Sequence, residues 1–224
     1  MVAQIYWAGG LCLYAGVLLF LTNLSYKLMI NKGLEQGVSV YYNRKILHIF
    51  VGGAIAIAVP FIFTDPIYPL FMALALAIVT TIPYLQNKRL YWVQTKENCN
   101  DVKFCVMAGL SIYLLWVLLD DPYLAIIPVA FMAFGDGITG IARNIVFKRR
   151  TKSAIGNVFM LIVSLPLGWW LASSASTPLP WWGVIAAVTA SWIERYEFGP
   201  VDDNILITVA STLIILLGSY VGPL

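Results

Sequence analysis

Four clusters of ionisable side chains interrupt an otherwise apolar sequence. In chain order they are Arg44-Lys45-Ile46-Leu47-His48, Phe134-Gly135-Asp136-Gly137, Arg143 with Lys148-Arg149-Arg150-Thr151-Lys152-Ser153, and Glu194 with Asp202-Asp203-Asn204. Carboxylate and amide oxygens are the ligands that Mg²⁺ prefers, and basic side chains stabilise charge on phosphate groups. Together the clusters offer acids for a metal ion, bases for a polyphosphate and one imidazole.

The first cluster brings the single histidine of the chain close to two basic residues. On a helix, Arg44 and His48 are four residues apart and Lys45 and His48 three, so the three side chains share a face. We expect His48 to lie a full turn into a membrane span, where ionisable groups usually face the protein interior or a water-filled cavity. For Arg44 and Lys45, a basic helix end that extends to lipid headgroups is an equally good interpretation.

The second cluster places a carboxylate midway along an apolar segment. A charged group at that depth is costly unless it is paired, hydrated or bound to a metal. Gly135 and Gly137 flank Asp136 and could let the backbone leave helical geometry, as in discontinuous helices that line a binding site. The alternative is a neutral Asp136 that forms a hydrogen bond with a neighbouring helix.

The third and fourth clusters suit a polyphosphate and its metal ion. Lys152 and Ser153 precede an apolar run, and a helix N-terminus beside a lysine favours a phosphate oxygen. A basic loop that binds anionic lipid would also explain these residues. Asp202, Asp203 and Asn204 stand before the last apolar run, where one of them would serve as a helix cap. Three consecutive oxygen-bearing side chains exceed what a cap requires and suit Mg²⁺.

The elements that must position these clusters are membrane-spanning helices. Apolar residues make up 60% of the 224 and charged residues only 11%, against roughly 25% charged residues in soluble domains. Mean hydropathy is +0.82, and apolar runs of about 20 residues, the length that crosses a bilayer, recur along the chain. We predict an all-α bundle that forms one transmembrane domain over residues 1–224. The eight predicted spans are Ile5–Leu28, Arg44–Phe63, Pro66–Leu85, Val102–Leu119, Pro122–Phe147, Ser153–Ala172, Thr177–Glu194 and Asn204–Val221.

The basic residues indicate an orientation for this bundle. All 14 lysines and arginines lie in or beside the segments 29–43, 86–101, 148–152 and 195–203. If the spans alternate, these segments share one side, and the connections on the other side hold acids and no bases. By the positive-inside rule, the basic side is cytoplasmic and both termini lie outside. We therefore expect a multi-pass membrane protein with its chemistry on the cytoplasmic face. Because no transit peptide is evident before the first span, we expect the membrane to be that of a prokaryotic cell.

The order and spacing of the clusters resemble the phytol kinase and dolichol kinase family of CTP-dependent lipid kinases, which is related to the cytidylyltransferases that make CDP-lipids. The resemblance covers about residues 42–208 and includes the motif Lys152-Ser153-x-x-Gly156-Asn157 as well as the other three clusters. The sequence departs from the family over Ile138–Phe147, where a glycine-rich turn is usual and where Arg143 and Asn144 could substitute.

The resemblance implies transfer of the γ-phosphoryl group of CTP to the hydroxyl of a long isoprenoid alcohol such as phytol, geranylgeraniol or dolichol. ATP remains open as the donor, the bilayer is a partner, and nucleic acid is not expected. Oligomeric state is left open.

The same resemblance assigns roles to the residues of the clusters. Asp136 and Asp203 would hold Mg²⁺ with help from Asp202 or Asn204, and His48 or Glu194 would accept the hydroxyl proton. The residues expected to bind the nucleotide or a phosphate are Arg44, Lys45, Arg143, Asn144, Arg149, Lys152 and Ser153.

Three other functions fit parts of the sequence. A cytidylyltransferase would use the same metal-binding and basic residues, but it would need no base for a hydroxyl. A transporter could use Asp136 as an ion site at the midplane, although inverted repeats, which would favour it, are not evident. A non-catalytic protein that binds anionic lipid would explain the basic loops and leave Asp136 and Asp202–Asn204 unexplained.

Overall fold

The computed structural model describes residues 2–95, 100–147 and 151–224 and is all-helical in these ranges, apart from an isolated β-bridge between Phe198 and Val201. Each predicted span corresponds to a helix. The eight helices are α1 (Val2–Asn31), α2 (Gln36–Ile62), α3 (Ile67–Leu85), α4 (Asn100–Leu119), α5 (Pro122–Phe147), α6 (Ala154–Ser173), α7 (Pro180–Ile193) and α8 (Asp203–Val221).

Seven of the helices in the described ranges are long and apolar enough to cross a membrane, which is the architecture of a multi-pass membrane protein. The exception is α7, which has 14 residues. At 1.5 Å per residue it is about 21 Å long, less than the roughly 30 Å of a hydrocarbon core. The count of eight spans therefore stays a prediction.

The start of α2 differs most from the sequence prediction. The helix begins at Gln36, eight residues before the predicted start at Arg44. The extra two turns contain Ser39 and Asn43, which are polar but fully buried. The Asn43 side chain donates hydrogen bonds to the backbone oxygens of Thr22 and Trp92. Hydropathy locates the start of the apolar run and misses a helix that continues through buried polar residues, so His48 lies three turns into α2 rather than one.

The centre of the bundle is α5. In its most apolar stretch 83% of the residues are buried, against 11% in α1. Phe131 and Met132 of α5 are completely enclosed and belong to the main apolar core. The surrounding helices therefore pack against α5, whereas α1 lies at the edge of the bundle.

The helices alternate in direction, which gathers the polar clusters at one end of the bundle. At the other end, Gln4 of α1 forms a hydrogen bond with Thr64, and the Trp182 indole donates to the backbone oxygen of Gly222 at 2.9 Å. Asp121 caps α5 there and accepts a hydrogen bond from the Ser176 backbone at 2.6 Å. Which side of a membrane the polar end faces stays a prediction.

Candidate functional site

Three carboxylates that are far apart in the sequence form the centre of the polar end. One oxygen each from Asp136, Glu194 and Asp203 lie within 4.8 Å of one another. Asp136 is in α5, Glu194 directly follows α7, and Asp203 is the first residue of α8. All three residues are buried, with 2%, 1% and 8% of their surface exposed. They line a cavity of about 360 Å³.

Two π-helical segments adjoin the site. One contains His48 of α2, and the other directly precedes Asp136 of α5. The segment His48–Gly53 lies within α2, and the segment Phe131–Gly135 ends immediately before Asp136. A π-helical turn carries an additional residue, which changes the direction of the side chains that follow it, and such turns are frequent at functional sites. The π-helical register thus orients Asp136, whereas His48 is the first residue of the segment in α2.

The glycines around Asp136 allow close packing rather than a break in the helix. Asp136–Phe147 continues α5 directly after the π-helical segment, so the predicted departure from helical geometry is wrong. A Cβ atom on Gly140 would overlap the side chains of Lys45 and Tyr41, and one on Gly137 would overlap Ile49. These positions let α2 approach α5 closely enough for Lys45 to reach Asp136.

Lys45 and His48 both face the Asp136 carboxylate. The Lys45 ammonium donates a hydrogen bond to Asp136 Oδ2 at 2.6 Å, and the side chains are 7% and 3% exposed. His48 Nδ1 lies 3.5 Å from the same oxygen and has no hydrogen-bond partner in the described ranges. Extension of Lys45 to lipid headgroups is therefore wrong. A neutral Asp136 bonded to a neighbouring helix is also disfavoured, because the lysine supplies a buried counter-charge.

Arg143 and Glu194 form a buried bidentate ion pair. The guanidinium donates to the two oxygens of Glu194 at 2.6 and 2.8 Å, a geometry that fixes both partners. Arg143 Nε also donates to the backbone oxygen of Ser153 at 3.0 Å. Gly156 packs so tightly that an added Cβ would overlap the guanidinium. Arg143 therefore positions the Glu194 carboxylate in the acidic group.

Lys152 links Asp203 and Glu194, two of the three residues of the acidic group. Its ammonium donates to Asp203 Oδ2 at 2.7 Å and to the backbone oxygen of Glu194 at 2.8 Å. Burial lowers the pKa of Lys152, but the carboxylates of Asp203 and Glu194 more than offset this, and the net pKa lies above that of a free lysine. Its charge thus stabilises the folded protein at neutral pH, and the contribution is lost only as the pH rises through the raised pKa.

Asp202 and Asp203 are neighbours in sequence but have different surroundings. Asp202 caps α8 by accepting a hydrogen bond from the Ile205 backbone at 3.2 Å, and it lies 3.3 Å from the Lys103 ammonium. Burial raises its pKa. With its amide oxygen toward Arg44, Asn100 accepts from that guanidinium at 2.6 Å and donates to Asp202 at 3.2 Å. Glu194, rather than Asp202, completes the acidic group.

Most of the predicted site residues line this one cavity. They are Arg44, Lys45, His48, Asp136, Arg143, Asn144, Lys152, Glu194, Asp203 and Asn204. Ser153 and Asp202 do not line it, and Ser153 contributes a backbone oxygen to Arg143 instead. Lys148, Arg149 and Arg150 lie outside the described residues, so phosphate binding by Arg149 stays a prediction.

The cavity also includes polar residues that sequence reasoning missed. Glu35, Tyr41, Thr95 and Asn100 lie in its wall. Tyr41 could have been found, because it precedes Lys45 by one helical turn, and the Lys45 ammonium lies 5.4 Å from the centre of its ring. The other three have no distinctive spacing, and they reach the cavity through the tertiary structure alone.

The acidic group could hold a metal ion. It supplies three carboxylates, and the nearby Asn204 Oδ1 is buried without a hydrogen-bond partner in the described part of the chain. Hard cations such as Mg²⁺ take such oxygen ligands.

Comparison with known proteins found no matching family, no matching curated protein and no matching solved structure. The functional argument therefore depends on the geometry and charge of these residues.

Proposed function

We propose that this chain is a kinase that transfers the γ-phosphoryl group of CTP, in a Mg²⁺-dependent reaction, to the hydroxyl of a long-chain isoprenoid alcohol. The reaction would take place at the cytoplasmic face of a prokaryotic cell membrane. The observation that carries the proposal is the buried acidic group enclosed by three cations, Lys45, Arg143 and Lys152.

The charge balance of this group favours a metal and a polyphosphate that bind together. Three carboxylates and three cationic side chains already neutralise one another. A dication alone would add two positive charges to a buried site, which is unfavourable. A nucleotide triphosphate that enters with the ion brings compensating negative charge, and Lys45 and Lys152 stand close enough to share it. The site therefore suits a metal–nucleotide complex better than either component alone.

The surroundings of His48 and Glu194 favour His48 as the acceptor of the hydroxyl proton. Arg143 occupies both oxygens of Glu194, and Lys152 lies 3.3 Å from one of them. His48 Nδ1 lies 3.5 Å from Asp136 Oδ2 but makes no hydrogen bond in the described ranges, and the residue lines the cavity. A proton acceptor must reach the hydroxyl without first breaking a strong ion pair. A cytidylyltransferase would need no such group.

Each group then has a place in the transfer step. The hydroxyl oxygen of the alcohol forms a bond to the γ-phosphorus, the bond from that phosphorus to the β,γ-bridging oxygen breaks, and CDP leaves. His48 takes the hydroxyl proton. Mg²⁺, held by Asp136, Glu194 and Asp203, would neutralise charge on the phosphates. The protein contributes mainly position and electrostatic stabilisation, as in other phosphoryl transfers.

A labelling experiment tests this reaction directly. Purified protein in detergent receives Mg²⁺ and CTP that is labelled at either the γ- or the α-phosphate, with phytol, geranylgeraniol, their phosphates or phosphatidate as acceptors. We expect γ-label to enter the free alcohols. Entry of α-label into the phosphorylated lipids alone would instead show a cytidylyltransferase. If neither label enters any lipid, with ATP also tried, the chain is not a lipid kinase.

Metal binding provides a second test that does not depend on turnover. We expect Mn²⁺, measured by electron paramagnetic resonance with β,γ-methylene CTP present, to bind more than about tenfold more weakly to Asp203→Asn. Asp202→Asn is the matched control, because the same change one residue away leaves the acidic group intact. Its affinity should stay within about threefold of the unmodified protein. Equal weakening in both variants would remove Asp203 from the metal site.

A further inference from the structure

A second cavity, of about 140 Å³, extends from the polar site into the apolar part of the bundle. It lies among α1, α2, α3 and α4. One face of α2 lines it with residues three or four positions apart, which are His48, Val51, Gly52, Ile55, Ala56 and Val59. Eleven residues separate His48 from Val59, so this slot is roughly 16 Å deep along the helix axis.

The slot runs from the polar end of the bundle toward the far end. On α4 its wall passes from Phe104 through Ala108 to Ile112, in the same direction as the wall on α2. The α3 wall passes the opposite way, as expected for an antiparallel helix, from Thr80 to Pro69. Most of the side chains that line the slot on these helices are apolar, so the slot offers a hydrocarbon environment.

Two residues join the slot to the polar site. Arg44 and His48 line both cavities. Phe104 lies at the junction, where its ring centre is 4.3 Å from that of His48. The same ring packs against Gly52 so closely that a Cβ atom there would overlap it. A chain inside the slot would thus end beside the imidazole.

We infer that this slot holds the single hydrocarbon chain of the acceptor, with its hydroxyl beside His48, and that Ala56 and Ala108 set how long a chain can enter. The inference rests on the proposed function, since it places the acceptor of that reaction. The small side chains at these two positions leave open the part of the slot that lies beyond His48 and Phe104. A larger residue at either position closes the slot while it leaves the polar site unchanged.

Plugging the slot should change chain-length selectivity. With γ-labelled CTP, we expect Ala108→Leu to raise the KM for geranylgeraniol by about tenfold or more. The KM for the five-carbon alcohol 3-methylbut-2-en-1-ol should change less than about threefold, because its main chain of four carbons ends before Ala108, which lies about 6 Å beyond Phe104 along α4. Ala56→Leu should act in the same way from the facing helix. Val117→Leu is the control on α4, since this side chain is 56% exposed on the outer surface.

Photocrosslinking separates the slot from the reaction. Geranylgeraniol with a diazirine at its distal end should attach to residues of α2 or α4 that line the slot, and Ala108→Leu should abolish this product. Attachment in the slot without phosphoryl transfer would support the slot assignment and overturn the kinase proposal. Transfer without attachment there, or equal losses for 3-methylbut-2-en-1-ol and geranylgeraniol, would overturn the slot and leave the kinase proposal standing. Efficient competition by a dialkylglycerol would overturn the single-chain assignment.

Discussion

Asp136→Asn is expected to lower the turnover of phosphoryl transfer by about 10³-fold, the loss typical when one preorganised electrostatic contact is removed. Asp136 is a member of the acidic group and also the partner of Lys45 at 2.6 Å. The amide would keep the shape of the side chain, but it would bring no charge to a metal ion. It would also leave the buried Lys45 ammonium without its counter-charge.

His48→Ala should cost less than Asp136→Asn, about 10²-fold, because phosphoryl transfer depends more on position and charge than on removal of the hydroxyl proton. Turnover with γ-labelled CTP and geranylgeraniol gives the ranking. Asp65→Asn, at the opposite end of the bundle, serves as the matched control and should behave like the unmodified protein. Thermal unfolding of each variant separates lost chemistry from lost folding. Comparable turnover losses for Asp136→Asn and His48→Ala would contradict the proposed division of roles.

Helix positions were predictable from sequence because the thickness of a bilayer fixes the length of apolar runs. The predicted fifth span, Pro122–Phe147, has the bounds of α5. The start of α2, predicted at Arg44 and observed at Gln36, was wrong for a different reason. Ser39 and Asn43 are polar, yet they are buried and bonded, and hydropathy has no means of distinguishing such residues from a loop.

Convergence of the four clusters was also predictable, because alternating helices place every second connection at the same end. Their pairing was not. Arg143 and Glu194 are 51 residues apart, and nothing in their local sequence indicates that they meet. The resemblance implies that Arg143 binds phosphate, whereas the structure places it on a carboxylate of the site.

The distinction between Asp202 and Asp203 lies beyond sequence reasoning for a geometric reason. Asp202 has an extended backbone with φ −92° and ψ 179°, and Asp203 begins the helix. The change in backbone direction between them sends one carboxylate toward Lys103 and the other into the acidic group. A shift of the helix start by one residue would exchange their roles, and sequence-based helix ends are uncertain by at least that much.

The ion pair between Arg143 and Glu194 should matter as much for folding as for chemistry. Arg143→Leu is expected to lower the free energy of unfolding by about 3–5 kcal/mol, because removal of one partner leaves the other as an uncompensated buried charge. The affected group is Glu194, which is 1% exposed and, among the described residues, would keep only Lys152 as a partner of its carboxylate. Unfolding in mixed micelles of increasing SDS content measures the loss.

Two further variants separate the ion pair from general damage to the bundle. Lys103→Met breaks a partly exposed ion pair to Asp202, and such pairs are worth at most about 1 kcal/mol. The double variant Arg143→Leu/Glu194→Leu removes both buried charges and should recover part of the stability lost in Arg143→Leu, because no orphaned carboxylate remains. It should not recover Mn²⁺ affinity, since the acidic group then lacks a carboxylate. If Arg143→Leu instead unfolds no more easily than Lys103→Met while turnover falls, Arg143 acts on the nucleotide, as the resemblance implies, and its contact with Glu194 contributes little to the fold.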